Sequence, residues 1–191
     1  MIERPAPARF DAVVLSGGRG TRLGGVDKGD LEIGGKRLFD RVLDALVAAR
    51  RIVAVGPPRE TVTEMLWTSE EPAGGRPVAD LAAGLTLVDE AVVVVMAVDM
   101  PFVTESVVAR LVAAAGKGEG AILANGGDQY LCGAYAAEAL RARLRRLKVI
   151  RGASMRRLLE GLSLERVRDP AASWDCDTWE QVERARSQEG G

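Results

Sequence analysis

Two kinds of apolar pattern alternate along the chain. Short runs are apolar at nearly every position: "FDAVVL" (10–15), "RIVAV" (51–55) and "AVVVVMAV" (91–98). Such runs predict strands covered on both faces, as in a central parallel sheet. Between them, apolar residues return every three or four positions, the spacing of a helix with one buried stripe. Leu38, Phe39, Val42, Leu43, Leu46 and Val47 make such a stripe over 38–49. Further helices are expected in "RETVTEML" (59–66), "VADLAAGLTLV" (78–88), "TESVVARLVAAA" (104–115), "AAEALRARLRRL" (136–147), "SMRRLLEGL" (154–162) and "TWEQVERAR" (178–186). Thr104 stands where an N-cap belongs. "GAILA" (120–124) and "LCGAY" (131–135) are further strand candidates. Strands alternating with helices predict an α/β fold: one domain over 1–191, with a mostly parallel central sheet flanked by helices.

Composition narrows the chemistry. The 191 residues are 47% hydrophobic and 28% charged with a formal net charge of -1, which suits a globular protein and not a general nucleic-acid binder. The opening "MIERPAPARF" has no apolar signal core, and no apolar run is long enough to span a bilayer, so a cytoplasmic protein without membrane partners is expected. Cys132 and Cys176 are expected as free thiols. There is no histidine. That removes a Ser-His-Asp triad, a histidine base and histidine-bound zinc. Any metal would be a hard ion held by carboxylates, magnesium first among them.

In open parallel sheets ligands bind beyond the carboxyl ends of the strands. Two features fall there. The first strand runs into "LSGGRGTRLGGVDK" (15–28), with five glycines, two arginines and a lysine. Gly17, Gly18 and Gly20 allow a nest of backbone amides for phosphate oxygens, and Arg22 and Lys28 add charge. The loop is no Walker A motif, lacking Gly-Lys-Ser/Thr, and no dinucleotide fingerprint, because Leu23 stands where the third glycine belongs. The second feature is Asp99 in "DMPF", a magnesium ligand or a turn cap before Pro101. Asp175 and Asp177 in "WDCDTWEQ" face one site if the segment is extended, or else Asp177 or Thr178 caps the last helix. "EEPAGGRP" (70–77) is a weak second glycine loop, and a plain turn explains it as well. Between Arg141 and Arg157 lie eight basic residues and no acidic one. Its irregular "VIRGASMRR" makes Arg151, Ser154 and Arg156 candidates for a second anionic substrate.

The stretch "LSGGRGTRLGGVDKGDLEIGGKRLFDRVLDAL" resembles the amino-terminal signature of the molybdenum cofactor guanylyltransferases, within the glycine-rich-loop nucleotidyltransferases. The likeness continues through "EEPAGGRPVADLAAGL", "VVMAVDMPFV", "QYLCGAY" and "WDCDTWEQ", in the family's order. It implies a Rossmann-like nucleotidyltransferase fold. The implied enzyme transfers GMP from GTP to molybdenum-loaded molybdopterin and releases pyrophosphate. By resemblance, Leu15, Ser16 and Gly17 begin the nucleotide contact, and Lys28 neutralises phosphate charge; on the loop's own chemistry Gly18 joins the first and Arg22 the second. Glu71 falls where the family has an acidic residue near the nucleotide. Asp99 matches the magnesium aspartate, and Asp175 and Asp177 match a closing pair near the second substrate or metal. Molybdenum-insertion proteins and molybdoenzyme chaperones are candidate partners. Two positions depart from the pattern: Gly56 replaces a common asparagine, and Asp30 replaces an apolar residue after "DKG". The alternatives are a nucleotidyltransferase using CTP or a sugar phosphate, and a nucleotide-binding module without turnover.

Overall fold

A computed structural model describes residues 8–17, 19–20, 23–70 and 77–189. Gly18, Arg22 and Glu71 lie outside the described residues. In chain order the elements are β1 (Phe10–Leu15), β2 (Arg19–Gly20), β3 (Val26–Asp27), a 3-10 turn (Lys28–Asp30), β4 (Glu32–Ile33), β5 (Lys36–Arg37) and α1 (Leu38–Ala45). Then come β6 (Ile52–Val55), β7 (Leu66–Thr68), α2 (Pro77–Leu85), β8 (Val92–Ala97), α3 (Glu105–Ala115), β9 (Gly120–Ala124) and β10 (Asp128–Ala136). The chain closes with α4 (Ala137–Arg146), α5 (Met155–Leu159), β11 (Leu164–Arg168) and α6 (Trp179–Glu189).

One seven-stranded sheet runs in the order β11-β9-β10-β8-β1-β6-β7. Only β10 is antiparallel to its neighbours. The α/β architecture with a mostly parallel sheet is therefore as the apolar pattern predicts. Alternation along β1 explains why that strand is apolar at every position but Asp11. Ala12 and Val14 pack with Phe39, Val42 and Leu111 on one face. Val13 and Leu15 pack with Leu81, Leu85 and Leu140 on the other. A third, smaller cluster joins Leu23, Ile33 and Leu38 to Cys176, Val182 and Ala185 of the carboxyl-terminal segment. Both cysteines are free and buried.

Several expectations are corrected. Residues 59–65 form no helix. Thr61, Val62 and Thr63 are β-branched and poor helix formers, and Thr61 Oγ1 donates instead to the Thr63 carbonyl. Leu66, the last residue of the expected helix, instead opens β7, a short edge strand. Helix α1 ends at Ala45, where Leu46 N–H turns back to the Leu43 carbonyl. Val47 is consequently exposed and leaves the predicted stripe. Strand β10 begins at Asp128, not at Leu131, with an irregular register between Gln129 and Gly133. Strand β11, "LERVR", is charged at most positions, as an edge strand can be. Thr104 does cap α3, accepting from Val107 N–H.

Candidate active site

Parallel pairing places the strand ends side by side. Leu15 lies opposite Val55 of β6 and Ala97 of β8. Beyond these ends opens a cleft of about 950 Å³. Its floor includes Leu15, Gly17, Gly56 and Asp99, and its apolar walls include Pro57, Pro58 and Trp67. That volume suits a nucleotide-sized ligand.

The glycine loop leaves β1 and folds back as a narrow hairpin, with Arg19 opposite Asp27 and Gly20 opposite Val26. Gly24 and Gly25 take positive φ values of 73° and 86° at its turn, which only glycine adopts without strain. Leu23, the residue that breaks the dinucleotide fingerprint, is buried in the cluster beneath α6 and anchors the loop. The hairpin delivers the chain to the 3-10 turn that carries Lys28. The Asp27 carboxylate caps this turn, accepting from Gly29 N–H at 2.9 Å.

Lys28 is the centre of the charged site. Its Nζ donates to Asp99 Oδ2 at 2.9 Å and to Asp177 Oδ1. Burial draws the Lys28 ammonium towards lower pKa, but Asp99 and Asp177 outweigh this and leave it above the ordinary lysine range. It is therefore charged throughout neutral pH. Asp177 reaches it because Cys176 N–H donates to the Asp99 carbonyl at 2.9 Å, pinning the "DCD" segment beside the end of β8. Thr178, not Asp177, caps α6: Gln181 N–H meets Thr178 Oγ1, and Gln181 Oε1 accepts from Thr178 N–H. Asp175 Oδ1 accepts from Gln181 Nε2 at 2.8 Å. Burial, then the neighbouring Asp177 and Asp99 charges, push the Asp175 carboxyl up.

Asp99 and Asp177 fit a hard cation as donors. Among the described residues no group of three or more histidine, cysteine or carboxylate side chains is placed to hold a metal. Substrate oxygens would complete the shell, as they do for magnesium at phosphate sites.

Other predicted residues divide. Leu15 and Gly17 line the cleft, but the Ser16 hydroxyl turns inward and donates to the Val55 carbonyl at 3.1 Å. At Gly56, φ is 142°, and a Cβ would lie 2.8 Å from Ser16 Oγ and 2.9 Å from Gly17 N. The missing asparagine is thus tied to a close approach of β6 to the glycine loop. Ser154 and Arg156 line a second cavity of about 410 Å³ with Arg157, Arg166 and Asp128. Ser154 Oγ is engaged there as the N-cap of α5. Arg151 is exposed and lies outside that lining.

Sequence reasoning missed Glu70 and Asp80, which both line the main cleft. Asp80 lies within "EEPAGGRPVADLAAGL", but it reads there as the polar face of a helix and carries no role of its own. Burial, then the Glu70 charge, push its carboxyl up to about 6. A raised carboxyl pKa means the folded chain binds this proton more tightly than the unfolded chain. The associated stability is complete below the unfolded value of 3.8 and is lost as pH rises through about 6. Asp80→Asn removes that loss. Discounted for its half-exposed position, the gain is about 1 kcal/mol at pH 8, or roughly 2–4 °C in Tm, and close to zero at pH 4. Melting curves at the two pH values check it; an equal shift at both contradicts it.

The fold and the charged cleft are those of an α/β nucleotidyltransferase. Residues 12–168 match the MobA-like NTP transferase domain, and the chain belongs to that family. A protein of Methanosarcina acetivorans named as a probable molybdenum cofactor guanylyltransferase is 36% identical over 112 residues, covering 51% of this chain and 49% of that protein. A molybdenum cofactor guanylyltransferase of Rhodopseudomonas palustris is 33% identical over 121 residues, covering 58% of this chain and 55% of that protein. The chain thus spans about half the length of the curated relatives it matches. The crystal structure of molybdopterin-guanine dinucleotide biosynthesis protein A from Archaeoglobus fulgidus superposes with a TM-score of 0.76. At 23% identity, over 94% of this chain and 98% of that one, it shows the shared fold. The predicted family and enzyme class are borne out. No helix among the described residues is long and apolar enough to cross a membrane.

Proposed function

We propose that this enzyme transfers GMP from GTP to the terminal phosphate of molybdenum-loaded molybdopterin. The observation that carries the reading is Lys28 of the glycine loop, held against Asp99 in the lining of a nucleotide-sized cleft. In this reaction a phosphate oxygen of the pterin attacks the α-phosphorus of GTP and a new P–O bond forms. The bond from the α-phosphorus to the oxygen bridging to the β-phosphate breaks, and pyrophosphate leaves with that electron pair. The nucleophile is already anionic at neutral pH, so a chain without histidine lacks nothing the step requires. What the protein supplies is alignment and charge neutralisation.

Lys28 and the loop amides near Gly17 serve the triphosphate. Asp99, with Asp177 beside it, would hold a divalent cation, magnesium by its preference for carboxylate and phosphate oxygens, which offsets phosphate charge when bound. Arg156 and Arg157 at the second cavity suit the pterin's phosphate. Arg151, outside that cavity, is the weaker of the predicted contacts.

Guanine is the base these residues favour. Its N1–H and exocyclic amine form a pair of donors that carboxylates such as Glu70 and Asp80 can accept, whereas cytosine presents one amine and acceptors. GTP should therefore be turned over at least about tenfold faster than CTP at equal, subsaturating concentrations, the worth of one hydrogen bond. Parallel pyrophosphate-release assays with the two nucleotides test this. Equal or faster use of CTP contradicts the guanylyl assignment and leaves the nucleotidyltransferase class intact.

A further inference from the structure

Arg59 is a charged residue with almost no contact with water. Its side chain is 8% exposed. It leaves the Pro57-Pro58 end of the β6 segment and crosses to the 3-10 turn. There one guanidinium nitrogen donates to Asp27 at 2.9 Å and the other to Asp30 at 3.1 Å. These carboxylates bracket Lys28 in the sequence. The guanidinium carbon lies 4.8 Å from the Phe39 ring centroid, and Phe39 stacks on Trp67 of the cleft wall at 5.6 Å. The fork also packs flat on Gly29: a Cβ there would meet Arg59 Nη1 at 2.1 Å. Gly29 has no positive φ, so it is this packing, and not backbone strain, that favours glycine.

We propose that Arg59 is a positioning residue for Lys28, clamping the turn that carries it through Asp27 and Asp30 and neutralising both carboxylates beside the incoming triphosphate. The inference rests on Lys28 serving the nucleotide, as in the function proposed above. It also accounts for Asp30, the departure from the family pattern: the acid supplies the second jaw of the clamp. A rigid planar fork can hold two carboxylates at once, which a lysine ammonium on a flexible stem does poorly. Without the fork, Asp27 and Asp30 lose the guanidinium that joins them, and the turn keeps only its local bonds, the Asp27 cap and the Leu31 N–H bond to the Lys28 carbonyl, together with the Lys28 contacts to Asp99 and Asp177.

The test uses Arg59→Ala, Arg59→Lys and Gly29→Ala in the full chain. Gly29→Ala keeps every charge but displaces the guanidinium. Two readouts are needed. The first is turnover of GTP with magnesium and molybdenum-loaded molybdopterin. The second is acetylation of each of the four lysines in the free protein, followed by mass spectrometry. Exposed Lys117 and Lys148 serve as internal controls. The expected result is a kcat about thirtyfold to a hundredfold lower for Arg59→Ala and Gly29→Ala, and partly restored in Arg59→Lys. Lys28 alone should be acetylated several-fold faster in the first two, while Tm stays within a few degrees. A merely structural role would instead lower Tm and speed acetylation at all lysines together. If Arg59→Ala does not fold, Gly29→Ala carries the test alone. Unchanged Lys28 labelling and unchanged kcat in Gly29→Ala overturn the inference. No turnover by the unaltered protein, with Lys28 labelling still selectively increased, overturns the guanylyl reading and leaves the clamp standing.

Discussion

Lys28→Met should abolish turnover to within about a thousandth of the unaltered rate or less, the scale of losing a cation that meets phosphate charge in the transition state. The methionine keeps the length of the side chain and the turn that carries it. What disappears is the Lys28 ammonium, which contacts both Asp99 and Asp177. Stability changes as well, in a way that depends on pH. Without the ammonium, Asp99, Asp175 and Asp177 lose the positive charge that Lys28 places among them. Burial and those neighbours already push Asp175 up, and it would rise further. A carboxyl raised above its unfolded value costs stability as pH rises, so the cost of losing Lys28 grows with pH. The variant should therefore be destabilised by about 1–3 kcal/mol at pH 8 and by less at pH 5. Melting at both pH values and single-turnover rates at pH 8 check the two halves separately. Retained turnover above about a tenth of normal removes Lys28 from the mechanism.

Asp99→Asn should cost turnover at least about a hundredfold and leave the fold nearly unchanged. Asparagine has the same shape and can still accept from Lys28, which also retains Asp177. The backbone bond from Cys176 N–H to the Asp99 carbonyl does not involve the side chain. The loss should therefore appear in rate and in the magnesium concentration needed for half-maximal activity, not in Tm. A turn-capping role for Asp99 predicts the reverse: lower Tm with activity per folded molecule retained. Measuring both quantities on one preparation separates the roles.

The central strands were legible because they are covered on both faces. A strand packed by α1 and α3 on one side and by α2 and α4 on the other must be apolar nearly throughout, as β8 is and as β1 is but for Asp11. The edge strands β7 and β11 were not legible, for they have a single neighbour each and tolerate Glu165, Arg166 and Arg168. Lys28 and Asp99 are 71 residues apart. They could be placed together only through the rule that parallel strands gather their carboxyl ends, and the pairing of Leu15 with Ala97 does that. Whether Asp177 faces the site or caps the last helix was open in the sequence and turns on local geometry: Gln181 and Thr178 take the capping role, and Asp177 meets Lys28. Arg59 and Asp80 were invisible for a common reason. Each lies in a segment that reads as an ordinary polar helix face, and only the approach of distant chain gives it a role. Asp11 is another such case. It is fully buried in β1, and its carboxylate accepts from the N–H groups of Asp89 and Glu90 at 2.7 and 3.0 Å. It thereby holds the connection into β8, and nothing in its immediate sequence announces that.

The most direct test of the central claim is product analysis after incubating the purified chain with GTP, magnesium and molybdenum-loaded molybdopterin. Equimolar pyrophosphate and a pterin whose mass has increased by one GMP unit are expected, both dependent on Lys28. Pyrophosphate without the guanylated pterin, or no reaction while another nucleotide or acceptor is consumed, would contradict that claim.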